Sequence, residues 1–172
     1  PAHPEMQCID GETRAVNRVF CIAKNYAEHA EEMGGEGERK APFHFQKSFD
    51  AVTLGPQVRY PTQTNDLHHE VELVAILGQG GTDLTVESAR DAVFGYAVGI
   101  DFTRRDRQSE AKAQGRPWDM SKNFDDAAVL GAVTPVDAGN HLTTGAITLA
   151  VNGEIRQRGD LKQMAYNTFE LI

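Results

Sequence analysis

The chain has 172 residues, of which 40% are hydrophobic and 24% charged, and a formal net charge of −8. That size and mixture fit one globular domain able to bury a core, and no apolar run approaches the ~20 residues of a membrane helix. The negative charge argues against a nucleic-acid surface, which draws affinity from clustered Lys and Arg. The one basic cluster, Arg104-Arg105-Asp106-Arg107, is short and carries its own carboxylate, so it suits a small anion in a cleft better than a phosphate backbone.

The first ten residues, PAHPEMQCID, lack the basic-then-apolar layout of a signal peptide, so a cytoplasmic protein is expected. Cys8 and Cys21 have no cysteine or histidine at zinc-site spacing and read as reduced, buried or half-buried thiols. Val19–Ala23 is apolar and predicts a short strand. Residues 25–33 (NYAEHAEEM) predict a helix of about two turns, and the Gly-rich, charged stretch 34–40 predicts a mobile loop. Phe43–Lys47 alternates as a half-buried strand does, and residues 70–77 (EVELVAIL) give the clearest strand, closed by a turn over 78–83. Residues 85–93 predict a helix with Thr85 as N-cap and Glu87 in its first turn. A further apolar strand over 94–101 ends at Asp101, and Asn152-Gly153 between Ala146–Val151 and 154–158 is a strong hairpin signal. The last residues, 167–172, read as an amphipathic element. Many strands with few short helices, and no strict βαβ alternation, make the class α+β, mostly β.

Glu70 and Glu72 stand two apart on a predicted strand, so they share a face while Val71 and Leu73 take the other. Two acids side by side repel unless a cation sits between them, and a hard divalent ion accepts oxygen ligands of this kind. On spacing alone, two acids facing water at a sheet edge is the commoner arrangement. Asp101, at the end of its strand, would add a third carboxylate to an open site. His29 and Glu32, three apart, share a helix face and suit a general-base pair, although a solvated face looks the same. His68 and His69 fall on opposite sides of a strand and are expected in a loop or supporting role. Lys47 and Lys122 are single lysines, a residue type usually left in water.

Taken in order, several segments carry a resemblance. They are Lys24-Asn25-Tyr26-Ala27-Glu28-His29-Ala30-Glu31-Glu32-Met33, Pro42-Phe43-His44-Phe45-Gln46-Lys47 and Asn65-Asp66-Leu67-His68-His69-Glu70-Val71-Glu72-Leu73. Gly95-Tyr96, Asp101-Phe102-Thr103-Arg104-Arg105-Asp106 with Gln108, and Gly115-Arg116-Pro117-Trp118 follow. The set closes with Ser121-Lys122-Asn123-Phe124-Asp125, Val151-Asn152-Gly153-Glu154 and Arg156-Gln157. Together they resemble the fumarylacetoacetate hydrolase family, in particular its fumarylpyruvate or acylpyruvate hydrolase branch.

The resemblance implies a mixed, rolled β-sheet with a few short helices, forming a homodimer. It implies a Mg²⁺ or Mn²⁺ site, with Ca²⁺ able to substitute, on Glu70, Glu72 and Asp101. By the same carry-over His29 and Glu32 match the water-activating pair, Lys122 a catalytic lysine, and Lys47, Arg105 and Gln108 substrate-contacting positions. The implied reaction is hydrolysis of a C–C bond in a small 2,4-diketo acid to pyruvate and a carboxylic acid. Oxaloacetate decarboxylation or keto–enol isomerisation on the same metal site, or a non-catalytic metal-binding paralogue, are the alternatives. Residues 1–16 read as an N-terminal extension of a single catalytic domain. The family continues with a strand and a Thr-Gly-Thr-Pro turn that these residues do not contain, so a further C-terminal segment is expected.

Overall fold

The computed structural model describes residues 2–26, 41–137 and 140–172. Most of the helix expected over 25–33, the loop expected over 34–40, and both His29 and Glu32 lie outside the described residues.

Strand β1 (Glu5–Gln7) folds back on β2 (Thr13–Ala15), with Gly11 at φ +91° in the turn between them. Strands β3 (Val19–Ala23) and β4 (Phe43–Lys47) fall where the sequence predicts and pair antiparallel, Val19 opposite Lys47 and Cys21 opposite Phe45. Opposed residues share a face, so Cys21, Phe45 and Lys47 all point the same way. After the short β5 (Val52–Thr53) comes the long β6 (Leu67–Leu77), then α1 (Val86–Ala92), with Thr85 Oγ1 accepting from the Ser88 amide at 3.2 Å as the predicted N-cap. Strand β7 (Val93–Arg104) follows, then α2 (Arg105–Ala113), α3 (Asp119–Lys122), β8 (Ala128–Leu130) and β9 (Thr134–Pro135). The predicted hairpin is β10 (Ala146–Val151) and β11 (Glu154–Asp160), with Asn152 at φ +53° and Gly153 at φ +85° as a type I′ turn requires. A last turn of helix, α4 (Thr168–Leu171), is capped by Asn167, whose Oδ1 accepts from the Phe169 and Glu170 amides.

The main sheet has the order β5-β8-β7-β6, with β9 also paired to β7. Its β5–β8 pair is parallel and the rest antiparallel, so the sheet is mixed. The fold is therefore α+β and mostly β, its sheets open. Among the described residues no helix is long and apolar enough to cross a membrane.

The β6–β7 register sorts the residues. Glu70, Glu72, Val74 and Ile76 share one face with Asp101, Gly99, Ala97 and Gly95. Ile76 and Ala97 are buried there with Met6, Val16, Val52 and Leu130. On the other face Tyr96 packs with Ala89 and Phe169, and Leu73 and Ala75 lie against them. One face of the ribbon thus runs from an apolar core to a row of carboxylates. At Gly95 a Cβ would come within 2.6 Å of the Thr134 carbonyl, so glycine is what lets β9 cross so closely.

Two elements differ from the sequence reading. Asp101 does not end its strand: Phe102, Thr103 and Arg104 continue it, paired with His69, His68 and Leu67. Both histidines are consequently on a strand, His68 exposed and 3.0 Å from Asp66. Helix α2 carries no apolar stripe, because the residues it buries are Gln108 and Ala111, and periodicity alone gives no sign of it.

Candidate active site

Glu70 lies directly opposite Asp101, and Glu72, two residues on, lies opposite Gly99. A Cβ at Gly99 would come within 2.6 Å of Val74 Cγ2, so the strand beside Glu72 stays bare. The Asp101 side chain is 9% exposed and that of Glu70 28%. Taking carboxylates this far from water is costly without partners.

Three cations supply partners. Lys122, the last residue of α3, places Nζ 2.8 Å from Glu70 Oε2 and 2.7 Å from Asp101 Oδ2. Lys47, the last residue of β4, places Nζ 2.9 Å from Asp101 Oδ1. Arg105, the first residue of α2, donates to Glu70 Oε1 through one nitrogen and to Gln108 Oε1 at 2.5 Å through another. The lysine side chains are 0% and 4% exposed, the reverse of the usual solvated lysine. Local devices fix both. Lys47 Nζ also donates to the Phe102 and Lys122 carbonyls, and the Ser48 amide donates to Asn123 Oδ1 at 2.9 Å, tying the end of β4 to the end of α3. The start of α2 is held by the Arg105 amide on the Asp66 carbonyl and by Asp106, which accepts from Thr64 Oγ1 at 2.6 Å.

These contacts divide the carboxylates electrostatically. Burial raises the Glu70 carboxyl, but Lys122 and Arg105 outweigh it and hold the pKa below the usual value. Glu72 has no hydrogen-bond partner among the described residues; burial, then the Asp101 and Glu70 charges, push it up to about 7. Burial lowers the Lys47 pKa, against the pull of Asp101. Cys21, facing the same charges, is pushed by burial to about 12 and stays a thiol.

Among the buried polar atoms without a hydrogen bond, two bear on these carboxylates. Asp101 Oδ1 is within ion-pair distance of Lys47 yet lacks a hydrogen bond of good geometry, and the Tyr26 hydroxyl, raised by burial and then by the Glu72 charge, has none either. Hard oxygen donors on one face, one carboxylate without a partner and one oxygen unsatisfied fit a divalent cation of the Mg²⁺ or Mn²⁺ kind. Among the described residues no ready-made cage of three such side chains exists. The Lys122 ammonium bridges Glu70 and Asp101 instead.

Of the residues singled out from sequence, Glu70, Glu72, Asp101, Lys122, Lys47, Arg105 and Gln108 come together, whereas His29 and Glu32 lie outside the described residues. Three neighbours went unnoticed. Cys21 needed the β3–β4 pairing, and Tyr26 its bridge to Met164, to bring them near. Gln157, on β11, pairs its amide with the Val71 backbone between the two glutamates, accepting at 2.7 Å and donating at 3.3 Å. Its only sequence signal was the Arg156-Gln157 pair after the hairpin turn.

The sequence profile described as fumarylacetoacetate (FAA) hydrolase C-terminal matches residues 18–172. Fumarylpyruvate hydrolase from Pseudomonas aeruginosa, solved in complex with Mn²⁺ and pyruvate, superposes with a TM-score of 0.88 at 43% identity, covering 99% of this chain and 76% of that one. Fumarylpyruvate hydrolase from Ralstonia sp is 37% identical over 131 residues, 76% of this chain and 68% of its own length. Mitochondrial oxaloacetate decarboxylase from Dictyostelium discoideum is also 37% identical, over 158 residues, 90% of this chain and 72% of its own length. With its match spanning all but the first strands, the chain belongs to the fumarylacetoacetate hydrolase C-terminal family.

Proposed function

We propose that this chain is a metal-dependent hydrolase that cleaves a C–C bond of a 2,4-diketo acid, fumarylpyruvate or another acylpyruvate, giving pyruvate and a carboxylic acid. The observation that carries the reading is the face on which Glu70, Glu72 and Asp101 converge, with Glu72 lacking a hydrogen-bond partner among the described residues. Likeness to an enzyme solved with Mn²⁺ and pyruvate supports it.

Glu70, Glu72 and Asp101 would hold the cation, Mg²⁺ or Mn²⁺, which supplies positive charge for a chelating keto acid and its enolate. His29, oriented by Glu32, takes a proton from a water that attacks the distal carbonyl. The adduct collapses, the bond between the former carbonyl carbon and the methylene breaks, and its electron pair leaves as pyruvate enolate. Lys122, its Nζ set between Glu70 and Asp101, faces that developing charge. Protonation of the enolate carbon gives pyruvate. Arg105 and Gln108, locked to each other, present donors to the substrate carboxylate. Lys47, buried on Asp101, steadies that ligand.

Decarboxylation of oxaloacetate is the second reading, favoured by the Dictyostelium relative. It forms the same enolate and needs no attacking water; keto–enol isomerisation would share that enolate too. Ultraviolet loss of fumarylpyruvate and of oxaloacetate, each with Mg²⁺, Mn²⁺ or EDTA, separates the readings. Metal-dependent loss of fumarylpyruvate, with His29→Ala retaining metal and losing turnover, is the expected result. Turnover of oxaloacetate alone would transfer the site to decarboxylation, and metal binding with neither activity would leave a non-catalytic paralogue.

A further inference from the structure

Beside the carboxylate face a cavity of about 430 Å³ opens between β4 and the turn that precedes α3, lined among others by Phe43, Phe45, Arg116, Trp118, Asp119 and Lys122. Lys122 belongs to both places: its Nζ bridges Glu70 and Asp101 and lies 5.0 Å from the Phe45 ring centroid. Beyond it the walls are aromatic. Trp118 meets Phe43 edge-on at 5.0 Å and Phe45 at 5.9 Å between ring centroids. Rings set this way give the slot an aromatic wall suited to a flat, conjugated group.

The slot ends in positive charge. Arg116 makes no ion pair with any described residue, unlike Arg105, which is committed to Glu70 and Gln108, and Lys47, which is committed to Asp101. Its backbone is nonetheless fixed. Helix α2 closes in a Schellman motif, the Arg116 amide on the Ala111 carbonyl at 2.9 Å and the Gly115 amide on the Lys112 carbonyl at 3.3 Å, with Gly115 at φ +62°. Lys112 stands over the Trp118 ring with Nζ 5.0 Å from its centroid and is likewise free of ion pairs with described residues. Asp119 is the one carboxylate among the described lining residues, against Arg116 and Lys122 in the same lining and Lys112 over Trp118.

We propose that the slot binds a planar unsaturated acyl group and that Arg116, helped by Lys112, grips a carboxylate at that group's far end. The inference rests on the hydrolase reading above and narrows it: the substrate is a dianion held at both ends, a fumaryl-type acylpyruvate. A neutral acyl group offers the guanidinium no charge to pair with, and oxaloacetate carries no unsaturated acyl group for the slot.

Trp118 is the sole tryptophan of the chain, so its fluorescence reports the slot directly and needs no turnover. Fumarate, the planar dianion, and crotonate, the same skeleton with one carboxylate replaced by methyl, are titrated in Mg²⁺ buffer against the parent protein and Arg116→Gln. Fumarate is expected to bind at least ~10-fold more tightly than crotonate, and Arg116→Gln to abolish that preference, since a charge-assisted, forked contact is lost. Equal binding of the two acids by the parent, or an undiminished preference in Arg116→Gln, would overturn the proposal. Far-ultraviolet circular dichroism confirms that the variant folds, and Lys112→Gln gives a second variant expected to weaken the preference in part. Fumarate selectivity that depends on Arg116 without fumarylpyruvate turnover would sustain the slot and sink the hydrolase reading; turnover without selectivity would do the reverse.

Discussion

Substituting Gln at Glu72 separates the cost of that carboxylate from its use. Burial, followed by repulsion from Asp101 and Glu70, lifts the carboxyl from 4.5 to about 7. An acid with a higher pKa in the folded chain than in the unfolded one holds its proton more tightly when folded. Its contribution to stability therefore falls as pH rises through the window between 4.5 and about 7. A gap of that width corresponds to ~3 kcal/mol lost by pH 8 in metal-free protein. Glutamine keeps the shape and never ionises. Glu72→Gln should thus be more stable than the parent by ~3 kcal/mol at pH 8 and by less than ~1 kcal/mol at pH 5, read from urea unfolding in EDTA. Saturating Mn²⁺ should reverse the order, because the parent gains ~RT ln(1 + [metal]/Kd) and the variant binds weakly. A stability difference that is the same at pH 5 and pH 8 would refute the account of Glu72 as an acid raised by burial and by its carboxylate neighbours.

Other perturbations test the surroundings. Lys122→Gln leaves Glu70 and Asp101 facing each other without their ammonium, and metal-free thermal unfolding should show a loss of ~3–5 kcal/mol that Mn²⁺ partly restores. Gly95→Ala should destabilise by ~2–3 kcal/mol in urea titrations, because its methyl would meet the Thr134 carbonyl, which is backbone and cannot rotate away. Cys21, with its pKa near 12, should resist iodoacetamide at pH 8 in the folded protein and react fully in urea, as peptide mass spectrometry would detect.

How far the sequence reaches can be judged from particular residues. Strand β3 follows from its apolar run, β4 from alternation and the hairpin β10–β11 from Asn152-Gly153, all local signals. The shared face of Glu70 and Glu72 is also local, a consequence of the two-residue period. Asp101 joins them only through the β6–β7 register, which no local pattern states. Helix α2 escaped because its inward residues, Gln108 and Ala111, form no apolar stripe. Lys47 and Lys122 look like surface lysines in sequence. Their burial depends on the Ser48–Asn123 hydrogen bond, which spans 75 residues. Chemistry-bearing residue types were thus legible, while the pairing of opposite charges was decided by contacts distant in sequence.

The Gln157 amide on Val71 has a consequence for solubility. Strand β6 is the outer member of the main sheet, and the Val71 amide and carbonyl that Gln157 engages point outward from it. A sheet edge of that length, where left uncovered, is a template on which a strand from another molecule can grow, and the β10–β11 hairpin packs beside this one. By occupying one peptide unit midway along the strand, the glutamine breaks that template at the point where two acids already discourage an apolar neighbour. Gln157→Ala should therefore show itself first as concentration-dependent aggregation, visible in light scattering before any change in catalysis.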